Sequence, residues 1–296
     1  MKSILIIGYG KWAKTILNVI KKSKLFDKIY ITSRKNLYFL KNNNIRTIKI
    51  LPRYDKIDII HVCSPITTHY KYLKKFLNHP GLIIEKPFLK NLNELAKINK
   101  NIKKKEFKTI VNYIDLYNPA VSILKNKLKS KFSKIIFEYS DPQSFFKKKY
   151  LCIEDWIEHP LSLMLFFFKR FARFRITKKI TIKYKSNFLE KVEIEFMYRG
   201  ILSIIRINLT NKKTRKIYVF QKKNLFLCVD LKKNKIVENK ISTYNKTKLN
   251  NLLFLYKSAL SKKRTSYQSF NFYKKILRQR ISIISSLKNI TSYNKF

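Results

Sequence analysis

The sequence predicts a Rossmann-type α/β domain, a doubly wound parallel sheet, followed by an α+β domain with a mostly antiparallel open sheet. Three observations predict it. Short apolar, β-branched runs alternate with longer amphipathic segments over residues 1–115. From residue 134 onward, strand-like runs follow one another with short polar connections. A Gly-x-Gly-x-x-Ala turn stands directly after the first strand-like run.

In the first half the strand candidates are Ile4–Ile7, Ile29–Thr32, Ile57–Val62, Leu82–Ile84 and Thr109–Val111. Apolar runs without alternation mark strands covered on both faces, which is the setting of a parallel sheet. Between them, Trp12/Ile16/Val19/Ile20 and Tyr72/Phe76/Leu77 recur at helical spacing. In the second half, Ile135–Tyr139, Ile180–Tyr184, Val192–Phe196, Leu202–Ile207, Ile217–Phe220 and Leu225–Val229 predict antiparallel strands. Helical stretches around 248–260 and 270–287 close the chain. At about 150 residues per domain, 296 residues make two domains. The change of texture places them at 1–117 and 118–296.

Composition narrows the function classes. A chain that is 45% hydrophobic can build a core, which excludes wholesale disorder. The most apolar stretch, Leu161–Phe168, is too short to cross a bilayer, which takes ~20 residues, and predicts a buried helix instead. No membrane association is expected. Against 17 acidic residues stand 66 Lys and Arg, a formal charge of +49 that attracts phosphates and other anions. Lys, Asn, Ile, Tyr and Phe, all encoded by A/T-rich codons, are abundant together, so compositional bias accounts for the charge. A basic nucleic-acid-binding protein is the alternative, but no nucleic-acid reader motif is present and no specific nucleic acid is expected as a partner. Cys63, Cys152 and Cys228 are odd in number and far apart, offering neither a disulfide framework nor a Cys-x-x-Cys metal pair. A reducing, cytoplasmic setting and no metal site are expected.

The turn Gly8-Tyr9-Gly10-Lys11-Trp12-Ala13 uses two of only four glycines in the chain. Its first Gly permits a tight turn, its second lets a pyrophosphate approach the backbone, and Ala13 lets the following helix pack close to the strand. Free N–H groups at the helix start then face the anion. The second strand ends in Ser33-Arg34, where an NAD enzyme usually carries an acidic residue for the ribose 2′-hydroxyl. A carboxylate repels a 2′-phosphate, whereas Ser and Arg can bind one. NADP(H) is therefore expected over NAD(H).

Two further segments follow in order. His61-Val62-Cys63-Ser64-Pro65-Ile66-Thr67-Thr68-His69 ends one apolar strand, and Gly81-Leu82-Ile83-Ile84-Glu85-Lys86-Pro87 ends the next. With the glycine turn, they resemble the Gfo/Idh/MocA oxidoreductases, which show a Pro-x-x-x-His loop and a Glu-Lys-Pro strand end at similar spacing. The stretch Asn112–Pro119 and Asp155-Trp156-Ile157-Glu158-His159, an Asp-x-x-x-His, extend the resemblance across nearly the whole chain. The resemblance implies that Ser64, Pro65, His69, Glu85 and Lys86 join Gly8, Gly10, Lys11, Trp12, Ala13, Ser33 and Arg34 around the cofactor. It also implies a homodimer or tetramer formed through the C-terminal sheet.

Hydride exchange with a secondary alcohol needs a base for the hydroxyl proton and a positive group near the developing alkoxide. Asp155 and His159 are four residues apart, a spacing that puts both on one face of a helix. His159 is the natural base near neutral pH. Asp155 orients it or binds a substrate hydroxyl, and Lys86 lies at a strand's carboxyl end, where open parallel sheets bind their ligands. In the resembled family the matching positions carry this work. The expected reaction is an NADP(H)-dependent interconversion of a secondary hydroxyl and ketone on a sugar or polyol-like substrate, nucleotide-linked sugars of surface-glycan synthesis included.

Departures from the family pattern qualify the substrate. The glycine-rich lead-in before Asp155 is replaced by Leu151-Cys152-Ile153, and Pro160 follows His159 where many members have Asp. A catalytically inactive, cofactor-binding member acting as partner or sensor is the alternative these changes leave open. Tyr218/Lys222 and Tyr244/Lys248 also match the Tyr-x-x-x-Lys of short-chain dehydrogenases. With Tyr and Lys so abundant, such pairs arise by chance.

Overall fold

The computed structural model describes residues 1–34, 44–48, 54–102, 107–128, 132–141, 153, 156–168, 175–185, 188–198, 200–209, 212–238, 241–244, 250–261 and 268–293. They form two compact units. One is Met1–Ile114 with Leu249–Leu277; the other is Asp115–Lys248 with Arg278–Phe296.

The first unit carries a six-stranded parallel sheet in the order β3-β2-β1-β4-β5-β6, which is the doubly wound arrangement. Its strands are β1 (Ser3–Ile7), β2 (Lys28–Thr32), β3 (Ile45–Thr47), β4 (Ile59–Val62), β5 (Leu82–Glu85) and β6 (Ile110–Asn112). Every residue of β1 and β4 is buried, because helices cover both faces of the sheet. Helix α1 (Lys11–Ser23) buries Ala13, Ile16, Leu17 and Ile20, a stripe at helical spacing, and closes on Lys24 in the left-handed conformation. Helices α2 (His69–Phe76) and α3 (Leu92–Asn101) complete the first series, and α4 (Pro119–Lys127) opens the second unit.

Near the C-terminus are α6 (Asn251–Leu260) and α7 (Phe270–Tyr293). The expected boundary assigns both to the second domain, whereas α6 and the first turns of α7 pack within the first unit. Aromatic contacts explain this. Tyr256 of α6 meets Phe26 edge-on at 5.5 Å, and Tyr273 of α7 packs among Phe88, Phe107 and Tyr113 at 5.6–6.0 Å. Both tyrosines are buried, and large rings of this kind dominate core burial.

The second unit is built on an eight-stranded sheet in the order β14-β13-β12-β11-β7-β10-β9-β8. The strands are β7 (Lys134–Asp141), β8 (Arg175–Lys185), β9 (Phe188–Tyr198), β10 (Ile201–Leu209), β11 (Thr214–Gln221), β12 (Asn224–Asp230), β13 (Lys235–Glu238) and β14 (Ile241–Tyr244). All neighbours are antiparallel except β7 and β10, which run parallel. Alternate residues face the core, as in Val192/Ile194/Phe196, Ile205/Ile207, Ile217/Val219 and Leu227/Val229. The expected buried helix is α5 (Glu158–Phe168), every residue of which is buried from Glu158 to Phe166. Within it Glu158 pairs with Arg280 of α7 at 3.5 Å, both side chains buried. Among the described residues no helix is long and apolar enough to cross a membrane.

Candidate functional site

The carboxyl ends of β1, β2 and β4 converge on one cleft of about 860 Å³. It is lined by Gly8, Tyr9, Gly10, Lys11 and Trp12 from the turn after β1, by Thr32, Ser33 and Arg34 after β2, and by Cys63, Ser64, Pro65, Thr68, Lys71 and Tyr72 after β4. Eight residues expected around the cofactor thus share one cavity: Gly8, Gly10, Lys11, Trp12, Ser33, Arg34, Ser64 and Pro65. Lys71 and Tyr72 are additional; the sequence placed Tyr72 only at a helical spacing with Phe76.

The glycines have separate reasons. Gly8 sits at φ +97°, and a Cβ there would lie 2.9 Å from the Ser64 backbone nitrogen and 3.0 Å from the Cys63 carbonyl. Its N–H donates to the Thr32 carbonyl (2.8 Å), while the Cys63 N–H donates to the Ile7 carbonyl (2.8 Å). A side chain at Gly8 would push these loops apart. Gly10 caps α1 without a side-chain hydrogen bond, and a Cβ there would meet nothing within 4 Å. Its surroundings are open cleft, and the first turn of α1 contains no acidic residue. An anion can therefore approach the helix start, so the cradle fits a dinucleotide's pyrophosphate.

Ala13 is buried under the turn, as close helix packing requires. His69 and Glu85, also expected around the cofactor, are not among the residues that line the cleft. His69 is buried, with Nδ1 2.9 Å from the Pro87 carbonyl oxygen and Nε2 2.9 Å from that of Ser64. It ties the Pro-x-x-x-His loop to the segment after β5. The Ser64 and Thr68 hydroxyls are 2.6 Å apart, and Thr68 donates to the Pro65 carbonyl at 2.7 Å, tightening the same loop.

Glu85 is a hub. Its Oε1 accepts from the Trp12 indole (2.5 Å), His61 Nε2 (2.9 Å) and Asn112 Nδ2 (2.7 Å). Burial raises its pKa, but the hydrogen bond and charge of His61 and the bonds from Asn112 and Trp12 outweigh that and hold it below its ordinary value. An ionised Glu85 makes His61 Nε2 a donor, and Nδ1 of the same ring lies 2.7 Å from the Tyr256 hydroxyl. Burial and the nearby Glu85 push the Cys63 thiol well up. The donor atoms of His61, Cys63 and Glu85 lie within 4.8 Å of one another. Both His61 nitrogens and Glu85 Oε1 are already engaged, so hydrogen bonding accounts for this cluster. Tyr256 as a partner of His61 and Asn112 as a partner of Glu85 were not foreseen from the sequence.

Lys86 stands half-buried at the end of β5, and the Lys86–Pro87 peptide is cis. Asp155 lies outside the described residues.

His159, on α5 of the second unit, has an acidic neighbour the sequence reading missed. Its Nδ1 is 3.2 Å from Oδ2 of Asp115. Asp115 sits in the 3₁₀ turn after β6 (Ile114–Tyr117) and is buried. Tyr139 and Arg215 face each other across β7 and β11, and this register aims both at the same carboxylate. The Tyr139 hydroxyl donates to Oδ2 (2.9 Å) and Arg215 Nη1 to Oδ1 (3.1 Å). Burial raises the Asp115 pKa, but the charges of Arg215 and His159 and the bonds from His159 and Tyr139 overturn that and hold it far below the usual carboxylate range. Trp156 roofs the group, with the Arg215 guanidinium 4.7 Å and the His159 ring 5.6 Å from its own.

A doubly wound sheet whose first turn opens an anion cradle beside the ends of β2 and β4 is the arrangement of a dinucleotide-binding domain. Residues 2–113 match the family model for the Gfo/Idh/MocA proteins, described as an oxidoreductase family with an NAD-binding Rossmann fold. The match spans the N-terminal domain and less than half of the chain. Solved structures share the fold over the full length. A dehydrogenase from Clostridium difficile is 17% identical, with a TM-score of 0.77, covering 96% of this chain and 99% of its own. A UDP-N-acetylglucosamine 3-dehydrogenase from Acidithiobacillus ferrooxidans is 15% identical (TM-score 0.73, 96% and 97% covered). A 3-ketoreductase from Actinomadura kijaniata, solved with NADP and TDP-benzene, is 12% identical (TM-score 0.71, 94% of each chain). No curated protein matches the chain.

Proposed function

We propose that this oxidoreductase uses NADP(H) in preference to NAD(H) and interconverts a secondary hydroxyl and a ketone on a sugar or polyol-like substrate, with nucleotide-linked sugars the favoured class. The observation that carries the reading is the cleft itself: eight residues chosen for cofactor binding, from three separate strand ends, line one cavity beside the start of α1. Ser33 and Arg34 lie within it, the pair suited to a 2′-phosphate. The ketoreductase solved with NADP and the UDP-sugar dehydrogenase share the fold, which is consistent with this choice.

In this reading Gly8, Gly10, Lys11 and Trp12 hold the pyrophosphate and its flanks, with Ser64 and Pro65 on the opposite wall. A bound nicotinamide supplies or accepts the hydride. His159 takes or returns the hydroxyl proton, Lys86 steadies negative charge on the substrate oxygen, and Asp155 binds a substrate hydroxyl. The C-terminal sheet pairs subunits.

Titration of the purified protein with NADPH and NADH, followed by nicotinamide fluorescence, tests the reading. Tighter binding of NADPH supports it; binding of neither nucleotide overturns it. With cofactor bound, a panel of UDP- and TDP-sugars and free polyols then tests the substrate class. Turnover lost in Lys86→Ala and His159→Ala, with NADPH binding retained, supports the assigned roles.

A further inference from the structure

We propose that Lys71, on α2, is a second cation for the 2′-phosphate of NADP(H), reaching it from the end of β4 while Arg34 reaches it from the end of β2. This deepens the reading of the cleft as an NADP(H) site and rests on it. The residues lining the cleft come from the ends of β2, β1 and β4, and none of them comes from β5 or β6. In the sheet β2 and β4 flank β1 on either side. The cleft therefore takes the pyrophosphate over β1 and the adenosine beside it. The pyrophosphate is met by backbone N–H groups at the start of α1. Two more cations stand in the same cavity, Arg34 and Lys71, and among the described residues no carboxylate lines it. Both side chains are exposed, so each can turn to an incoming anion. A phosphate monoester offers three acceptor oxygens, enough for two cationic donors at once.

The fold fixes which face of α2 looks into the cleft. His69, Leu73 and Phe76 are buried on one side of the helix, at i, i+4 and i+7. His69 pins that side, with one ring nitrogen 2.9 Å from the Pro87 carbonyl oxygen and the other 2.9 Å from that of Ser64. Thr68, Lys71 and Tyr72, at i, i+3 and i+4, share another face, and all three line the cleft. The Tyr72 ring lies parallel to Phe76, at 2° and 6.4 Å, which holds the next turn of the same helix. Lys71 thus projects from a rigid element, while Lys74, also exposed on α2, does not line the cavity.

The test uses adenosine 2′,5′-bisphosphate and 5′-AMP, which differ only in the 2′-phosphate. Binding of each to the full chain is measured by titration calorimetry at ~0.15 M salt, where charges beyond ~8 Å are largely screened. The unaltered protein is expected to bind the bisphosphate more tightly. Lys71→Ala should weaken the bisphosphate by about 5- to 50-fold and leave 5′-AMP nearly unchanged, and Lys71→Arg should keep most of the affinity. Lys74→Ala removes the same charge from the same helix and should change neither ligand by more than about twofold. Equal losses for both ligands in Lys71→Ala would put the ammonium at the 5′-phosphate and overturn the proposal. So would no loss at all, or a loss that Lys74→Ala reproduces. If the bisphosphate preference disappears in Arg34→Ala but survives in Lys71→Ala, the role of Lys71 fails and the NADP(H) reading stands. If the unaltered protein binds the two ligands equally, the NADP(H) reading fails and the proposal falls with it.

Discussion

The indole N–H of Trp12 and the carboxylate of Glu85 are joined by a 2.5 Å hydrogen bond. The contact ties the first turn of the helix that opens the anion cradle to the strand end that carries Lys86. Trp12 is also one of the residues lining the cleft and one of only two tryptophans in the chain. Energy transfer from protein to bound NADPH should therefore come largely from Trp12. In Trp12→Phe most of the sensitised nicotinamide emission is expected to vanish, whereas Trp156→Phe should retain it. The comparison is made at saturating cofactor.

Gly8 combines positive φ with a backbone contact that a methyl group would violate. Gly8→Ala is expected to destabilise the protein by about 1–3 kcal/mol and to weaken NADPH binding at least tenfold, because the loops after β1 and β4 must separate. Chemical denaturation and fluorescence titration measure the two effects. Full retention of both would contradict the cradle described above.

Arg34 discriminates between the two nicotinamide cofactors if it meets a 2′-phosphate. Arg34→Ala should weaken NADPH binding by about 1.5–3 kcal/mol, roughly 10- to 150-fold, and leave NADH binding nearly unchanged. Equal losses for both cofactors would place Arg34 elsewhere along the dinucleotide.

Two carboxylates held in hydrogen-bond networks govern acid stability. Glu85 and Asp115 are both held below their ordinary pKa values by their partners. Their folded-state values lie under the unfolded ones, so the stabilisation they bring is fully present above roughly pH 5 and is lost as pH falls through the folded values. The melting temperature of the unaltered protein should drop steeply on acidification below that point. Glu85→Gln and Asp115→Asn should each start lower and fall less steeply, since neither retains the group whose protonation drives the loss.

A 2.7 Å hydrogen bond between the Tyr256 hydroxyl and Nδ1 of His61 links α6 to the parallel sheet. Tyr256→Phe keeps the ring packing on Phe26 and removes that bond. A loss of about 1 kcal/mol in urea unfolding is expected.

Much of the first unit was legible because its signals are local. A buried parallel strand is a continuous apolar run, an amphipathic helix repeats every three to four residues, and the glycine turn lies within six consecutive positions. What escaped was short or distant. Strands β3, β13 and β14 have three or four residues each, too few to show a period. A mostly antiparallel sheet was expected, but which pair would run parallel, β7 with β10, was not. The chain runs through α5, β8 and β9 between them, and strand choice there is made by packing.

The cofactor cleft and the surroundings of His159 divide along the same line. The amino-acid order alone pointed to a dinucleotide cradle and the strand ends beside it, since each rests on residues within one turn or one strand. Which acid faces that histidine was settled only when the turn carrying Asp115 met β7 and β11. Asp115, Tyr139 and Arg215 are separated by 24 to 100 positions and act as one group because sheet register and burial bring them into hydrogen-bonding range. No pattern along the chain records a contact whose energy comes from excluding water around three side chains at once.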